Sequence, residues 1–167
     1  MLLSFSDVIP SVIIKPPILI SGRQSLKYHN MSFLIDEISA IAYQINYEFH
    51  CSPFKQALYI HELLAVGFEE NFYLFNLSNQ GNLLNLQLSG YFGQFYFEED
   101  LFYIADANGL TCVNLKGDMI WKNITLGVDG VKIDGFTNDQ IYGSGEFDPP
   151  SDWKDFVIRK KDGVNVE

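Results

Sequence analysis

Ten residues, Glu146 to Asp155, hold four carboxylates: Glu146, Asp148, Asp152 and Asp155. Phe147, Trp153 and the pair Pro149-Pro150 stand among them. Carboxylates at this spacing suit three kinds of chemistry. Two that flank a sugar can hydrolyse a glycosidic bond as general acid and base or nucleophile. A cluster of their oxygens can hold calcium, although this spacing is not that of an EF-hand loop. Acids around a large aromatic side chain can also form the polar rim and buried anchor of a protein-binding surface. No sugar cleft is legible around the stretch, so binding is the expectation. Trp153 and Phe147 are then either anchors or rings folded back onto their own hairpin.

Other chemistry finds little footing. His29, His50 and His61 lack the paired short spacings of a zinc site, even with Cys51 beside His50. No Gly-x-Ser-x-Gly elbow and no phosphate-binding glycine loop occurs. Tyr142-Gly143-Ser144-Gly145 carries glycines but leads into a strand pair, where glycine marks a bend or bulge. No set of residues that would ligate a metal or cofactor stands out, so neither is expected. Cys51 and Cys112 lie far apart, and Cys112 sits in an apolar alternation, so two buried thiols are expected in preference to a disulfide.

The elements that would position the acidic stretch are strands. Short β-rich runs cut by Asn, Asp and Gly turns recur after residue 60, among them 63–68, 71–77, 82–88, 93–99, 101–106, 110–115, 118–123 and 130–136. Phe33 to Ile45 fits a helix period or two short strands broken at Asp36-Glu37, with strands preferred. Even spacing of strands predicts an all-β fold.

The chain also repeats itself. Residues 64–88 laid over 102–126 share a strand, a short tip, a strand ending in Asn-Leu, a turn ending in Gly and a third strand. The offset of about 36–38 residues falls in the range of propeller blades. A third copy begins at Ile141, and a degenerate earlier unit spans Phe33 to His61. In this phasing 93–99 and 130–136 close their blades as fourth strands. Glu69-Glu70-Asn71, Ala107-Asn108-Gly109 and 146–155 are then equivalent tips. Repeat stacking puts such tips on one edge, and insertions favour the binding face. The expected partner-binding set is Glu69, Glu70, Asp106, Glu146, Phe147, Asp148, Asp152, Trp153 and Asp155.

At "ANGLTCVNLKGDMIWK" (107–122) the sequence resembles a propeller repeat of the quinoprotein and WD40-like kind. Gly117 and Trp121 stand where those repeats have a turn glycine and a docking tryptophan. The resemblance covers roughly 63–167 and implies architecture only: an antiparallel, propeller-like array, partial or open, since the chain has room for about four short blades.

Composition bounds the function. The 167 residues are 47% hydrophobic and 15% aromatic, with a formal charge of −10. They suit a single domain, with 1–60 as a degenerate N-terminal unit and 61–167 as repeats. The charge argues against nucleic acid as a partner and favours a basic one. No apolar run is long enough to span a membrane, and "MLLSFSDVIP" lacks a basic n-region, so a cytoplasmic location is expected. In size, charge and decorated tip the chain is similar to small acidic immunity proteins of bacterial polymorphic-toxin and contact-dependent inhibition systems. That resemblance implies a non-enzymatic protein that neutralises a cognate toxin with a basic surface, for instance a nuclease. A generic interaction or carbohydrate-binding module and a hydrolase using the 146–155 carboxylates are the alternatives.

Overall fold

A computed structural model describes residues 3–21 and 29–166. Met1 and Leu2 of the N-terminal stretch, and Glu167, lie outside them. The described residues contain strands and no helix. Strands β1 (Leu3–Ser6), β2 (Ile18–Leu19), β3 (Asn30–Asp36) and β4 (Ile41–Tyr47) form the first sheet in the order β1-β3-β4-β2. The second holds β5 (Lys55–Ile60), β6 (Leu63–Phe68), β7 (Asn71–Asn76) and β8 (Gly81–Gln87) in chain order. The third holds β9 (Phe92–Glu98), β10 (Leu101–Asp106), β11 (Leu110–Asn114) and β12 (Met119–Asn123). The fourth has three strands, β13 (Val131–Phe136), β14 (Gln140–Glu146) and β15 (Trp153–Arg159). All pairings are antiparallel except the short β2–β4 pair.

The segment Phe33–Ile45 is two strands, as preferred from the sequence. Asp36 ends the first by accepting bonds from the Ile38 and Ser39 amides, both 3.0 Å, which closes the turn. First strands touch in series, β1 to β5, β5 to β9 and β9 to β13. The sheets thus fan out from a common inner line, as in a propeller, and the array stays open.

Hydrophobic burial between sheets holds the fan together. Leu64, Val66, Tyr73 and Phe75 face Leu34, Tyr43 and Ile45 of the first sheet. Phe72, Leu74 and Ala65 face Phe92, Phe95 and Phe102 of the third. Tyr103, Cys112 and Trp121 face Ile133, Ile141 and Ile158 of the fourth. β6 is buried along its whole length because its sheet is covered on both sides. A strand covered on both faces reads as a continuous apolar run such as Leu63–Phe68. β15 is largely exposed because the fourth sheet is covered on one side only. The outer face of the first sheet is closed by Ile9 and Ile13, which pack on Phe33, Ile35 and Ala42. Gly67 is required by close approach: a Cβ there would lie 2.1 Å from the Phe92 ring.

The phasing of the repeats differs from the expectation. Glu99 and Asp100 both have positive φ, 50° and 61°, and form a two-residue turn from β9 straight into β10. Residues 92–98 therefore open the third sheet rather than close the second, and β13 likewise opens the fourth. Lys55–Ile60 opens the second sheet, so the first sheet ends before it and begins at Leu3 rather than Phe33. A four-strand period looks the same wherever counting starts. The inner strand is identified only by its contacts across sheets.

One expectation about placement holds. The turns Glu69-Glu70, 107–109 and 147–152 all lie on one edge, together with the linkers 48–54, 88–91 and 124–130. We call this the tip edge, and the opposite one the far edge. The extended tip itself is shorter than expected. β14 continues to Glu146 and β15 resumes at Trp153, so Trp153 and Asp155 are strand residues.

Candidate functional site

Three acids end the second strand of their sheets or directly follow it: Glu69, Asp106 and Glu146. Sequence reasoning placed them on a solvated rim. The structure buries all three, at 3%, 1% and 8% exposure. Glu69 reaches back to the linker before its sheet. Its Oε2 accepts the Cys51 and Ser52 amides at 2.6 and 2.9 Å, and its Oε1 meets His50 Nδ1 at 2.7 Å. Burial alone pushes the Glu69 carboxyl up, but these donors outweigh it and hold the pKa below the ordinary value. A carboxylate only accepts, so His50 carries a proton on Nδ1. Asp106 does the same for the next linker. Its Oδ2 accepts Ser89 N–H and O–H at 2.9 and 2.8 Å, and its Oδ1 accepts the Asn108 and Gly109 amides at 2.8 and 2.9 Å. Both acids are loop clamps.

Glu146 is the exception. Glu146 holds its linker through its backbone and not its side chain: Val128 N–H donates to Glu146 O at 2.7 Å, and Glu146 N–H to Gly130 O at 2.9 Å. Among the described residues no hydrogen bond or ion pair reaches its carboxylate. Instead it lines a cleft of about 340 Å³ on the tip edge, where the second, third and fourth sheets converge. Trp153, Phe54 and Tyr91 supply the aromatic walls, with Asp129 and Lys132 beside them. Phe54 and Tyr91 stack, with centroids 6.5 Å apart and planes 27° apart. Lys132 Nζ lies 5.7 Å from the Trp153 ring centre and 3.2 Å from Asp134.

The cleft is framed by backbone bonds that cross between sheets. Ala107 N–H donates to Tyr91 O at 3.1 Å, and Gly130 N–H to Ala107 O at 2.8 Å. Glu146 N–H on Gly130 O continues the series, and Tyr91 O–H donates to the Asp129 carbonyl. Such a frame fixes the rings before any ligand arrives and lowers the ordering cost of binding. The hydrophobic walls and the unpaired carboxylate suit a cationic group, through cation–π attraction and a charge-assisted hydrogen bond.

The other expected residues sit nearby but apart. Asp148 and Asp152 are exposed on the loop, which closes through Phe147 N–H to Asp152 O (2.9 Å) and Ser151 N–H to Asp148 O (3.1 Å). Lys154 partly neutralises it, with Nζ 3.1 Å from Asp152 Oδ2 and 4.9 Å from the Phe147 ring centre. Phe147 therefore pairs with Lys154 and does not line the cleft. Asp155 is exposed on β15, and Glu70, half-buried, accepts Gln87 Nε2 at 3.4 Å. Both thiols are free, and Cys112 is buried. Burial, with Glu69 next, pushes Cys51 up to about 12, so it stays a thiol.

Phe54, Tyr91, Asp129 and Lys132 were missed in the sequence. They stand at or just before the starts of inner strands β5, β9 and β13. Correct phasing would have lined them up as equivalents. Phe92 and Phe95 of β9, which follow Tyr91, are core.

Comparison with known proteins supports the architecture. No protein-family model matches the sequence, and no curated protein matches it. Among solved structures, the chain is similar to dihydro-heme d1 dehydrogenase NirN in complex with DHE, at TM-score 0.50 and 8% identity over 81% of this chain. The chain spans 32% of that protein's length. It also aligns with the N-terminal domain of Nup159 at TM-score 0.43 and 12% identity, over 99% of this chain and 50% of that one. Kluyveromyces lactis Hsv2 aligns at TM-score 0.40 and 8% identity, over 82% and 57% respectively. The likeness to NirN shows a propeller-type fold and nothing of activity.

Proposed function

We propose that the tip edge is a protein-binding surface whose cleft receives a lysine or arginine side chain from a basic partner. The carrying observation is Glu146: a carboxylate with no hydrogen bond or ion pair among the described residues, beside Trp153, Phe54 and Tyr91 in one pre-framed cleft. A carboxylate that faces a cleft without a protein partner offers a bound cation a charge-assisted hydrogen bond. The net charge of −10 would draw a basic partner in, while Asp148 and Asp152 on the adjacent loop would steer it. In its most specific form, the chain is a non-enzymatic immunity protein that occludes the active surface of a basic toxin. A photo-crosslinking residue in place of Phe54, compared with one in place of Asp100 on the far edge, tests this in the native host. The reading requires one basic protein captured from the tip edge and not from the far edge. It also requires that the captured protein arrest growth when expressed alone and not when co-expressed with this chain.

The stacked Phe54–Tyr91 pair favours one alternative, a carbohydrate-binding module, since flat rings also stack on sugars. Saturable binding of a soluble oligosaccharide at the tip edge, with no protein captured there, would select it.

A further inference from the structure

A second cleft, of about 360 Å³, opens on the far edge between the third and fourth sheets. Tyr103 of β10 forms part of its wall, and Lys160 and Lys161 follow β15 along it. The Tyr103 ring is fully buried between Trp121 and Phe136, at centroid distances of 6.0 and 5.2 Å. Among the described residues its hydroxyl finds no hydrogen-bond partner. Burial, with Cys112 and Glu99 adding to it, pushes the hydroxyl's pKa up, so it keeps its proton and remains a donor. Buried donors without acceptors are uncommon, and this one belongs to a residue that lines the cleft, just beneath its surface.

Lys160 adds to the surplus. It is 7% exposed, donates to Glu99 Oε2 at 2.8 Å, and lies 5.5 Å from the Phe136 ring centre. An ammonium has three N–H donors, so two find no acceptor among the described residues. Arg159 is occupied by Asp162, at 3.0 and 2.9 Å. In a chain of net charge −10 with 11 Lys and Arg, Arg159, Lys160 and Lys161 stand side by side here.

We infer that this far-edge cleft binds a small oxyanion, a carboxylate or phosphate group, through the Tyr103 hydroxyl and the Lys160 ammonium with Lys161 at the rim. Asp139 and Glu99 share the cleft and carry the opposite charge, which limits the site to a small anion and weakens its hold. This site is independent of the tip edge.

The test is amide NMR of the full chain, titrated with inorganic phosphate in one series and acetate in another, at ionic strength held constant with sodium chloride. Saturable shifts at Tyr103, Lys160 and Lys161 are expected, and the arm with the tighter curve identifies phosphate or carboxylate as the group recognised. Tyr103→Phe should melt no lower than the parent yet bind about tenfold more weakly, as loss of a hydrogen bond to a charged group implies. Should Tyr103→Phe fail to fold, Lys161→Ala at the exposed rim replaces it and should also weaken binding. Asp139→Asn should tighten binding. Equal shifts with sodium chloride alone, absence of saturation with both anions, or unchanged affinity in the variants would each overturn the inference.

Discussion

Trp121 Nε1–H donates to the Lys160 carbonyl at 2.7 Å, joining the outer strand of the third sheet to the turn that ends the fourth. The indole also lies flat against Gly163, where a Cβ would fall 2.4 Å from Trp121 Cε3 and φ is +68°. One side chain thus supplies both packing and a directional bond between repeats. Trp121→Ala should cost roughly 3–5 kcal/mol in denaturant unfolding. Trp121→Phe should cost only about 1–2 kcal/mol, since it keeps most of the buried area and loses the bond to Lys160. Gly163→Ala should also destabilise, through contact and backbone conformation together. A thermal midpoint unmoved by Trp121→Ala would place the residue outside the core.

The three buried acids should separate by role. Asp106→Asn exchanges an oxygen that accepts two Ser89 bonds for a donor, and should cost about 1–3 kcal/mol. Glu146→Gln removes a charge that pairs with no described residue, so stability should hold. Unfolding midpoints of the two variants, measured side by side, check the contrast. Equal losses would mean that Glu146 is a clamp like the others.

Acid should loosen the link between the first two sheets. The folded-state pKa of Glu69 lies below its ordinary value of 4.5, so the native state binds fewer protons than the unfolded chain there. Its stabilisation is complete above that value and is lost as pH falls through the folded pKa. Asp36, whose pKa is also lowered from 3.8 by turn amides, Ser39 and Tyr59 against the opposing effect of burial, acts in the same direction. Thermal midpoints of the parent and Glu69→Gln should differ at pH 7 and converge as pH falls below 4.5 and through the folded pKa. A difference that persists or widens in acid would show that Glu69 is not the titrating clamp.

Exposed acids on the extended tip should act on encounter rather than on residence. Asp148→Asn with Asp152→Asn should slow association with a basic partner and flatten its salt dependence, leaving dissociation nearly unchanged. Stopped-flow binding at two ionic strengths checks this. A dissociation rate that changes while association does not would move these acids from rim to contact.

Much of the fold is legible in the residues. Short β-branched and aromatic runs, Asn/Asp/Gly turns and the Gly117–Trp121 pattern carry the strands and the repeat. The phase of the repeat is not legible, because four antiparallel strands look alike under cyclic shift. Its loss hid Phe54 and Tyr91 at the mouths of inner strands. The acids at strand ends misled for a different reason. Glu69 finds Cys51 and Ser52 at separations of 18 and 17 residues, and Asp106 finds Ser89 at 17. A carboxylate clamped by amides from a distant linker has the same sequence signature as one in water. Trp153 lines the candidate cleft, whereas Phe147, expected beside it, stands with Lys154.

The central claim is that the Glu146–Trp153 cleft holds a cation from a protein partner. Its most direct measurement is the dissociation constant of the partner captured at the tip edge, for the parent, Glu146→Gln, Trp153→Ala and the far-edge control Asp100→Asn, each shown to be folded. The account predicts that both cleft variants weaken binding by about tenfold or more while Asp100→Asn binds as the parent does. Cleft variants that bind like the parent, or a far-edge variant that alone loses affinity, would contradict it.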